Sequence, residues 1–466
     1  MGLKRAMKST FVAAQQRLFR CLSAGLLVLG MSASQSQAAV SGWTILHEQS
    51  PGAQQVQLQW VVRSGSLEDG PLTSGLARFT ARALLRGTTT RPYSDLSQAL
   101  QTISATVRVE ITQEFTRFIC SVPANRLDSF LHLMRDIFSN PEFDPFEIES
   151  LRRDLLSELQ GRQSDASSRL KQAGFSEFYS GTSAQNPPEG TADGLNRITG
   201  LDIRKFFKRH YGISNYVLAL ATPFPDGDLR FKLSLALRGV PDVAAKVQVL
   251  PPPTAQGLSA VVISDLSATD VPFLVVVPGV AAQDSDRPGL ELTNLIFGIG
   301  PNSRLARFSS SLNGWLSEAT SDFRAMTAVS LGAGAFSIQG RSQRAHLSDT
   351  VPAVFSLFQQ FLQEGVSEAE LISSREDYLS SLTTSLDSPE KRMAFRLDAL
   401  LSGSALADLP SWQAELGKWD HSSASLSLKS RLSVNPAVVV IQGDPSQIVP
   451  VLQSIPGMGS IRIVDR

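Results

Sequence analysis

Side chains suited to chemistry are few in this chain and widely spaced. The five histidines lie dozens of residues apart, so no two of them have the local spacing of a metal-binding pair. These histidines are His47, His132, His210, His346 and His421. The serine run 309–311 lacks the G-x-S-x-G turn that exposes a nucleophile, and no Lys-Ser/Thr follows the glycines at Gly298 and Gly300. These patterns argue against a serine hydrolase and against a phosphate-binding loop.

Size and charge restrict the classes of protein that the chain can belong to. At 466 residues it exceeds a usual single core, and a prior of ~150 residues per domain suggests two or three domains. With 42% hydrophobic and 18% charged residues, it should fold. The 43 Lys and Arg are balanced by 43 Asp and Glu, so no basic field attracts a polyanion. We therefore expect no nucleic-acid partner.

The first 38 residues have the pattern of a secretory signal peptide. Five basic residues precede the apolar run 22–31, and Ser36-Gln37-Ala38 supplies a small-residue cleavage site. The run is too short for a comfortable permanent membrane span, so we expect export to the periplasm or another extracytoplasmic lumen, with no transmembrane anchor after cleavage. Only Cys120 then remains, which excludes an internal disulfide; its alternating surroundings predict a buried structural thiol.

Periodicity predicts an α+β layer in the first half. Apolar residues alternate with polar ones from Val56 to Val62, as in a half-buried strand. A helix follows, with Leu76, Phe79, Ala83 and Leu84 on one face, and Gly87 is placed to end it. Residues 105–122 predict a pair of strands, and 124–138 and 144–160 predict two helices. We expect these helices to cover one face of the sheet.

The second half repeats this order at an offset of about 220 residues. The segment 215–220 is echoed at 435–440, and the charged helix after Asn140-Pro141 is echoed by the helix that opens at Glu368. The three prolines at 251–253 lie between the halves and favour an extended, semi-rigid spacer. We expect domains at 39–240 and 259–466, joined by a linker at 241–258.

The segment Gly75–Thr88 follows a predicted strand and a glycine-rich turn. It resembles the zinc helix of the insulinase/pitrilysin metallopeptidases, which normally contains the inverted motif H-x-x-E-H. In that family the two histidines bind zinc and the glutamate is the general base on the metal-bound water. The resemblance places the first ligand at Arg78, the base at Ala81 and the second ligand at Arg82. None of the three functional side chains is retained.

The resemblance places the family's third zinc ligand at Glu158, in Leu-Leu-Ser-Glu-Leu on a later helix. One carboxylate cannot hold zinc in a site that needs three protein ligands, and two guanidiniums repel a dication. We therefore expect no zinc and no other cofactor. Arg78 or Arg82 is predicted to form an ion pair with Glu158; the alternative is that Glu158 is a solvated helix residue.

The second half also departs from the family pattern. The arginine and tyrosine that steady substrate in the family fall on Ser310 and Ser317. The loop at Gly298 and Gly300, with Arg304 after it, resembles the glycine-rich loop of the non-catalytic subunit of mitochondrial processing peptidase. That likeness implies contact with substrate or partner, whereas a helix-terminating turn explains the glycines equally well.

Together these resemblances imply two duplicated domains, each a mostly antiparallel sheet with helices on one face, facing each other across a bowl-shaped cavity. They imply a catalytically inactive, peptidase-like subunit that pairs with an active, zinc-bearing homologue in a peptide-processing chamber and contacts unfolded peptides. One alternative is an envelope scaffold without a proteolytic partner, resembling the core subunits of the respiratory bc-type complex. A zinc endopeptidase with a rebuilt site is the other.

Overall fold

A computed structural model describes residues 43–243, 246–322 and 330–465 of the chain. The predicted signal peptide at 1–38 lies outside the described residues. The first half begins with two strands, and a helix follows at the segment that resembles the zinc helix. Its elements are β1 (Thr44–Gln49), β2 (Gln55–Val62), α1 (Leu76–Ala83), β3 (Gly87–Thr88), β4 (Arg91–Pro92), α2 (Tyr93–Thr102), β5 (Thr106–Ile111), β6 (Thr116–Pro123), α3 (Leu127–Ser139), α4 (Pro145–Gln163), α5 (Ala166–Phe178), α6 (Ala192–Arg197), α7 (Gly200–His210), β7 (Tyr216–Thr222) and α8 (Asp226–Ala236).

The second half repeats this arrangement with one further strand at its end. Its elements are β8 (Leu258–Ser264), β9 (Asp270–Pro278), α9 (Arg287–Gly298), α10 (Arg304–Ser311), β10 (Leu316–Asp322), β11 (Ala335–Gln343), α11 (Leu347–Glu364), α12 (Glu368–Ser385), α13 (Pro389–Ser402), α14 (Leu409–Leu416), α15 (His421–Arg431), β12 (Ala437–Gly443), α16 (Pro445–Gln453) and β13 (Met458–Val464). Short 3-10 turns occupy Ser66–Glu68, Leu84–Arg86, Ala124–Arg126, Ser183–Gln185, Ile213–Asn215 and Arg344–His346.

The two main sheets have the same topology, which confirms the duplication predicted from the sequence. The first sheet has the strand order β1-β7-β2-β6-β5. The second sheet, read from its far edge, has the order β13-β8-β12-β9-β11-β10. The additional strand β13 lies beside β8, and the remaining order corresponds strand for strand. Most pairs are antiparallel; the exceptions are β1 with β7, β8 with β12 and β8 with β13.

Each half packs most of its own helices on one face of its sheet, as predicted. In the first half, Val56, Leu58 and Trp60 of β2 point into a core with Phe79 of α1 and Phe138 of α3. The period of two in a strand puts these three β2 side chains on one side, against the helical stripe. This core fixes α1 against the sheet, so the segment that resembles the zinc helix is held rigidly.

The opposite face of each sheet receives a helix from the other half. Helix α13 contributes Met393, Leu397 and Leu401 to a cluster on the first sheet. Helix α5 lies on the second sheet, where a Cβ added at Gly174 would come within 3.1 Å of Val440. Glycine therefore permits the close approach of this helix. The exchange of helices buries both faces of the central strands and joins the halves.

Polar contacts strengthen the junction between the halves. Arg392 and Arg396 of α13 form ion pairs with Glu48 of β1, at 2.9 and 3.1 Å. The buried carboxylate of Glu114, in the turn between β5 and β6, accepts hydrogen bonds from the backbone N–H groups of Leu250 and Leu331, both at 2.7 Å. The described part of the proline-rich segment 241–258 is thus tied to the first half at Leu250.

Cys120 is 1% exposed on β6, and burial raises the pKa of its thiol, in agreement with the predicted structural role. Across the described ranges, we find no helix with the length and apolar character needed to cross a membrane.

Candidate functional site

The start of helix α1 is fixed by a partly buried carboxylate. Asp69 accepts hydrogen bonds from the backbone N–H groups of Gly75 (2.7 Å) and Ala77 (2.8 Å), which would otherwise be unpaired at a helix N-terminus. Burial raises the pKa of Asp69 to about 7, although these backbone bonds oppose the shift. Sequence reasoning did not identify Asp69, because its role depends on the packing of the turn over the helix.

Arg78 and Arg82 of α1 converge on Glu158 of α4. The Nη2 group of Arg78 donates to Oε2 of Glu158, and Arg82 donates to both carboxylate oxygens, at 3.2 and 3.4 Å. Arg78 also donates to the backbone carbonyl of Glu189 at 3.2 Å. Both guanidiniums lie on one face of α1, because residues i and i+4 are neighbours on a helix. The ion pair predicted from the sequence is therefore present, and it involves both arginines.

The three side chains differ in their exposure to solvent. The side chain of Arg78 is 8% exposed, that of Arg82 is 31% exposed and that of Glu158 is 41% exposed. Desolvation lowers the pKa of Arg78, and the nearby charge of Glu158 opposes that shift. Ala81 is fully buried between the arginines and brings no ionisable group. The alternative prediction, that Glu158 is a solvated helix residue, agrees with its partial exposure, but Glu158 also forms the ion pairs.

This arrangement does not fit a zinc ion. Glu158 is the one carboxylate at the three aligned ligand positions, and guanidiniums are cations without a lone pair to offer a metal. Within residues 43–243, 246–322 and 330–465, no three His, Cys, Asp or Glu side chains are grouped so as to hold a metal ion. Ala81 also lacks the carboxylate that would take a proton from water. The site carries ion pairs instead of a metal-ligand set.

The ion pairs extend along the interface between α1 and α4. Arg86, in the 3-10 turn that follows α1, pairs with Glu147 (3.5 Å) and Asp154. At the other end of α4, Arg162 forms an ion pair with the side chain of Glu189. This row of charges was not predicted, although the spacing of Arg78, Arg82 and Arg86 at four-residue intervals is its visible signal in the sequence.

A cleft of about 360 Å³ adjoins the ion-pair row. Four segments line it: the end of strand β5, the last turn of α4, part of α5 and the loop at 184–192. Arg162 and Glu189 belong to both the cleft wall and the charge row. Strand β5 is the last strand of its sheet on this side, in the part of the chain that the structure describes. The cleft therefore lies where a free sheet edge meets the degenerate zinc site.

The residues predicted in the second half have structural partners. A Cβ added at Gly298 would come within 2.6 Å of the backbone nitrogen of Ser321, so this glycine permits close packing of α9 on β10. Gly300 has a φ of 89°, in the left-handed region that favours glycine. Arg304 pairs bidentately with Glu370, at 2.9 and 2.8 Å, and the pair holds the pKa of Glu370 at about 2. Turn and packing chemistry thus accounts for these glycines, and contact of the loop with substrate stays a prediction.

Two sheets that share a five-strand order, with the charge row at the position of a zinc helix, define a metallopeptidase-like class of protein. Comparison with family descriptions agrees: "Insulinase (Peptidase family M16)" matches residues 44–192, and "Peptidase M16 inactive domain" matches residues 197–377. The chain belongs to the insulinase family of peptidases and their homologues. The family expectation drawn from the sequence is therefore confirmed.

Curated relatives of the chain include proteins of two kinds. Subunit 1 of the human mitochondrial cytochrome b-c1 complex is 24% identical over 63% of this chain and 59% of its own length. An uncharacterized zinc protease of Streptomyces coelicolor is 22% identical over 57% of this chain and 59% of its own length. The mouse b-c1 subunit matches over 38% of its length, so the chain spans roughly two fifths to three fifths of these relatives.

Solved structures support the fold over most of the chain. A peptidase M16 inactive domain from Pseudomonas fluorescens superposes with a TM-score of 0.78 and 17% identity, covering 86% of this chain and 96% of that one. A protease from Helicobacter pylori gives 0.76 and 15%, covering 86% of this chain and 97% of that one. At such low identity the likeness concerns the fold alone.

Proposed function

We propose that this protein is a catalytically inactive subunit of the insulinase family that pairs with an active, zinc-bearing homologue in a peptide-processing assembly. The observation that carries the proposal is the ion pair of Arg78 and Arg82 with Glu158. Peptide hydrolysis of this type needs a metal-bound water and a base beside it. The aligned positions offer two cations and the methyl group of Ala81 instead.

The proposal also assigns a surface that receives peptide. Strand β5 has an unpaired edge in the described part of the chain, and such an edge accepts an extended segment by strand addition. Its Val107, Val109 and Ile111 pack against the core, whereas Arg108 and Glu110 point outward. An added peptide would continue this alternation, with main-chain hydrogen bonds supplying affinity without regard to sequence. An inactive subunit can thereby hold a peptide for an active partner.

The assembly is proposed to lie outside the cytoplasm, on the strength of the leader-like pattern at 1–38. Detection of the processed protein in an envelope fraction, with an N-terminus near residue 39, would agree with this location. Recovery of unprocessed protein in the cytoplasmic fraction would contradict it.

The decisive experiment compares the purified chain with its native assembly. The protein is captured from the envelope of its source, and zinc content and cleavage of a quenched fluorescent peptide are measured with and without the co-eluting proteins. We expect less than stoichiometric zinc and no cleavage from the chain alone, and chelator-sensitive cleavage when a zinc-bearing homologue is present. Stoichiometric zinc and cleavage by the chain alone would instead establish a zinc endopeptidase with a rebuilt site.

A scaffold without a proteolytic partner is the second candidate. The observation that favours it is the similarity to subunit 1 of the mitochondrial cytochrome b-c1 complex, whose name describes a component of a larger complex. In the same capture experiment, this candidate requires a stable envelope complex that contains no zinc-bearing homologue and has no peptidase activity. Recovery of an active homologue in fixed proportion would reject it.

A further inference from the structure

The cleft beside the ion-pair row has an unequal set of charges. Its lining contains three basic side chains and one acidic side chain, together with apolar surface. The basic residues are Arg162, Arg169 and Lys171, the acidic residue is Glu189, and Leu159 and Phe175 contribute apolar surface. A partly enclosed site with an excess of positive charge attracts anionic groups, because its low-dielectric walls reduce screening by solvent.

The three basic residues of the cleft differ in their ion-pair and hydrogen-bond partners. Arg162 is held by Glu189, and its side chain remains 55% exposed. The Nε group of Arg169 donates to the side chain of Gln442 at 3.0 Å, which fixes it beside the second sheet. Lys171 is partly exposed on α5, and within the described residues no ion-pair partner is found for it. Lys171 is therefore the cation best placed to accept a charged group from outside.

The position of the cleft determines what kind of anion reaches it. Ile111, the last residue of β5, lies in the cleft wall, so a peptide strand added along β5 passes directly over the opening. Alternate side chains of such a strand point to one face, and one of them projects toward the cleft. We propose that this cleft recognises an acidic side chain, Asp or Glu, of an extended peptide bound along β5. The inference rests on the proposed peptide-binding role of that edge.

The charge of the lining agrees with selectivity for a carboxylate. Gln113 and Ser168 also line the cleft, but Gln113 donates to the carbonyl of Ala184 at 3.2 Å and Ser168 donates to the carboxylate of Asp165 at 2.7 Å, so the charged side chains decide the selectivity. A basic peptide side chain would meet Arg162 and Lys171, and like charges at short range are unfavourable. The cleft thus selects for acidic residues and against basic ones.

The test measures binding of labelled peptides to the full chain by fluorescence anisotropy. The peptides are C-terminally amidated decamers of alternating Thr and Val in which one position, scanned along the peptide, is Glu, Gln or Lys. Amidation removes the terminal carboxylate, so the scanned side chain is the only variable charge. At low salt we expect Glu at one register to bind about five-fold more tightly than Gln, and Lys to bind least. The preference should shrink at roughly 0.5 M salt.

The variant Lys171→Glu should abolish or reverse the preference for Glu over Gln, and Lys171→Gln should reduce it. Lys429→Glu reverses the charge of an exposed lysine in the last turn of α15, outside the cleft lining, and should leave the preference unchanged. Binding of all three peptides with equal affinity would overturn the selectivity of the cleft for acidic side chains while leaving peptide binding at β5 intact. A matched set of peptides with a free C-terminus is measured in parallel, and preference for those peptides alone would overturn the inference in favour of terminal carboxylate capture. Failure of every peptide to bind would overturn both this inference and the proposed peptide-binding edge.

Discussion

Replacement of Glu158 by glutamine tests whether the ion pair has become part of the framework of the fold. The change keeps the shape and one accepting oxygen of the side chain but removes its charge. Arg78, with an 8% exposed side chain, is then left without its carboxylate partner and keeps the carbonyl of Glu189. Breaking a fully buried pair costs about 3–5 kcal/mol, and breaking a surface pair costs about 0–1 kcal/mol. Since Glu158 is 41% exposed, we expect a loss of about 2 kcal/mol in the free energy of unfolding.

The same helix offers a matched control. Glu149→Gln also removes a glutamate paired with an arginine on α4, but Glu149 is 64% exposed and Arg152 keeps its hydrogen bond to the carbonyl of Ile198. We expect a loss below about 0.5 kcal/mol for this control. Urea unfolding, followed by tryptophan fluorescence and by circular dichroism, measures the free energy of unfolding of both variants. Equal and small losses for Glu158→Gln and Glu149→Gln would refute the argument that burial of Arg78 makes the charge of Glu158 necessary.

Three further outcomes are expected. The double variant Arg78→His/Arg82→His should bind one equivalent of zinc, because it places two imidazoles beside Glu158, and addition of Glu158→Gln should remove that binding. Metal analysis after dialysis measures the zinc content. Zinc-free double variant would contradict the alignment of the site. The raised pKa of Asp69 means that the folded state keeps a proton between pH 4 and 7 that the unfolded state releases, so its contribution to stability is lost as pH rises. As pH rises across that window, Asp69→Asn should therefore gain up to about 1.4 kcal/mol per pH unit in the free energy of unfolding relative to the wild type. A difference between the two proteins that does not change with pH would argue that Asp69 has an ordinary carboxyl pKa. Gly174→Leu should overpack the contact of α5 with the second sheet and lower the free energy of unfolding by about 1–3 kcal/mol, which thermal unfolding measures. A melting temperature equal to that of the wild type would contradict this expectation.

The sequence predicted the local elements and the composition of the degenerate site well. Alternation from Val56 to Val62 matches β2, and the stripe that includes Phe79 matches α1. The ion pair at Glu158 was predictable because the resemblance supplied a long-range pairing that spacing alone does not contain. Periodicity reports which face of an element is buried, and a family motif reports which distant elements meet.

The contacts that the sequence did not indicate all depend on tertiary packing. The four-residue spacing of Leu170 and Gly174 indicates a helical face, but not that the face lies on the sheet of the other half. Asp69 and Glu114 are acidic residues in turns, which is the usual surface pattern for carboxylates. Their burial, and the backbone N–H groups that they accept from, arise only when α1 and the segment around Leu250 pack against those turns.

Charge counting shows what the loss of the zinc ligands changes in the electrostatics of the site. A zinc dication with two neutral histidines and one ligand glutamate carries a formal charge of +1, and so do two guanidiniums with Glu158; the family's general-base glutamate, which Ala81 replaces, would lower the first sum to 0. The ion pairs seen for Arg78 and Arg82 thus replace the charge of a metal centre while lacking its open coordination position. A site of this kind keeps α1 and α4 together and keeps a positive field beside β5, but it has no means to activate water. On the proposed function, peptide binding and chemistry are then separable, and substitution of Arg82 should alter peptide affinity in a chain that cleaves nothing.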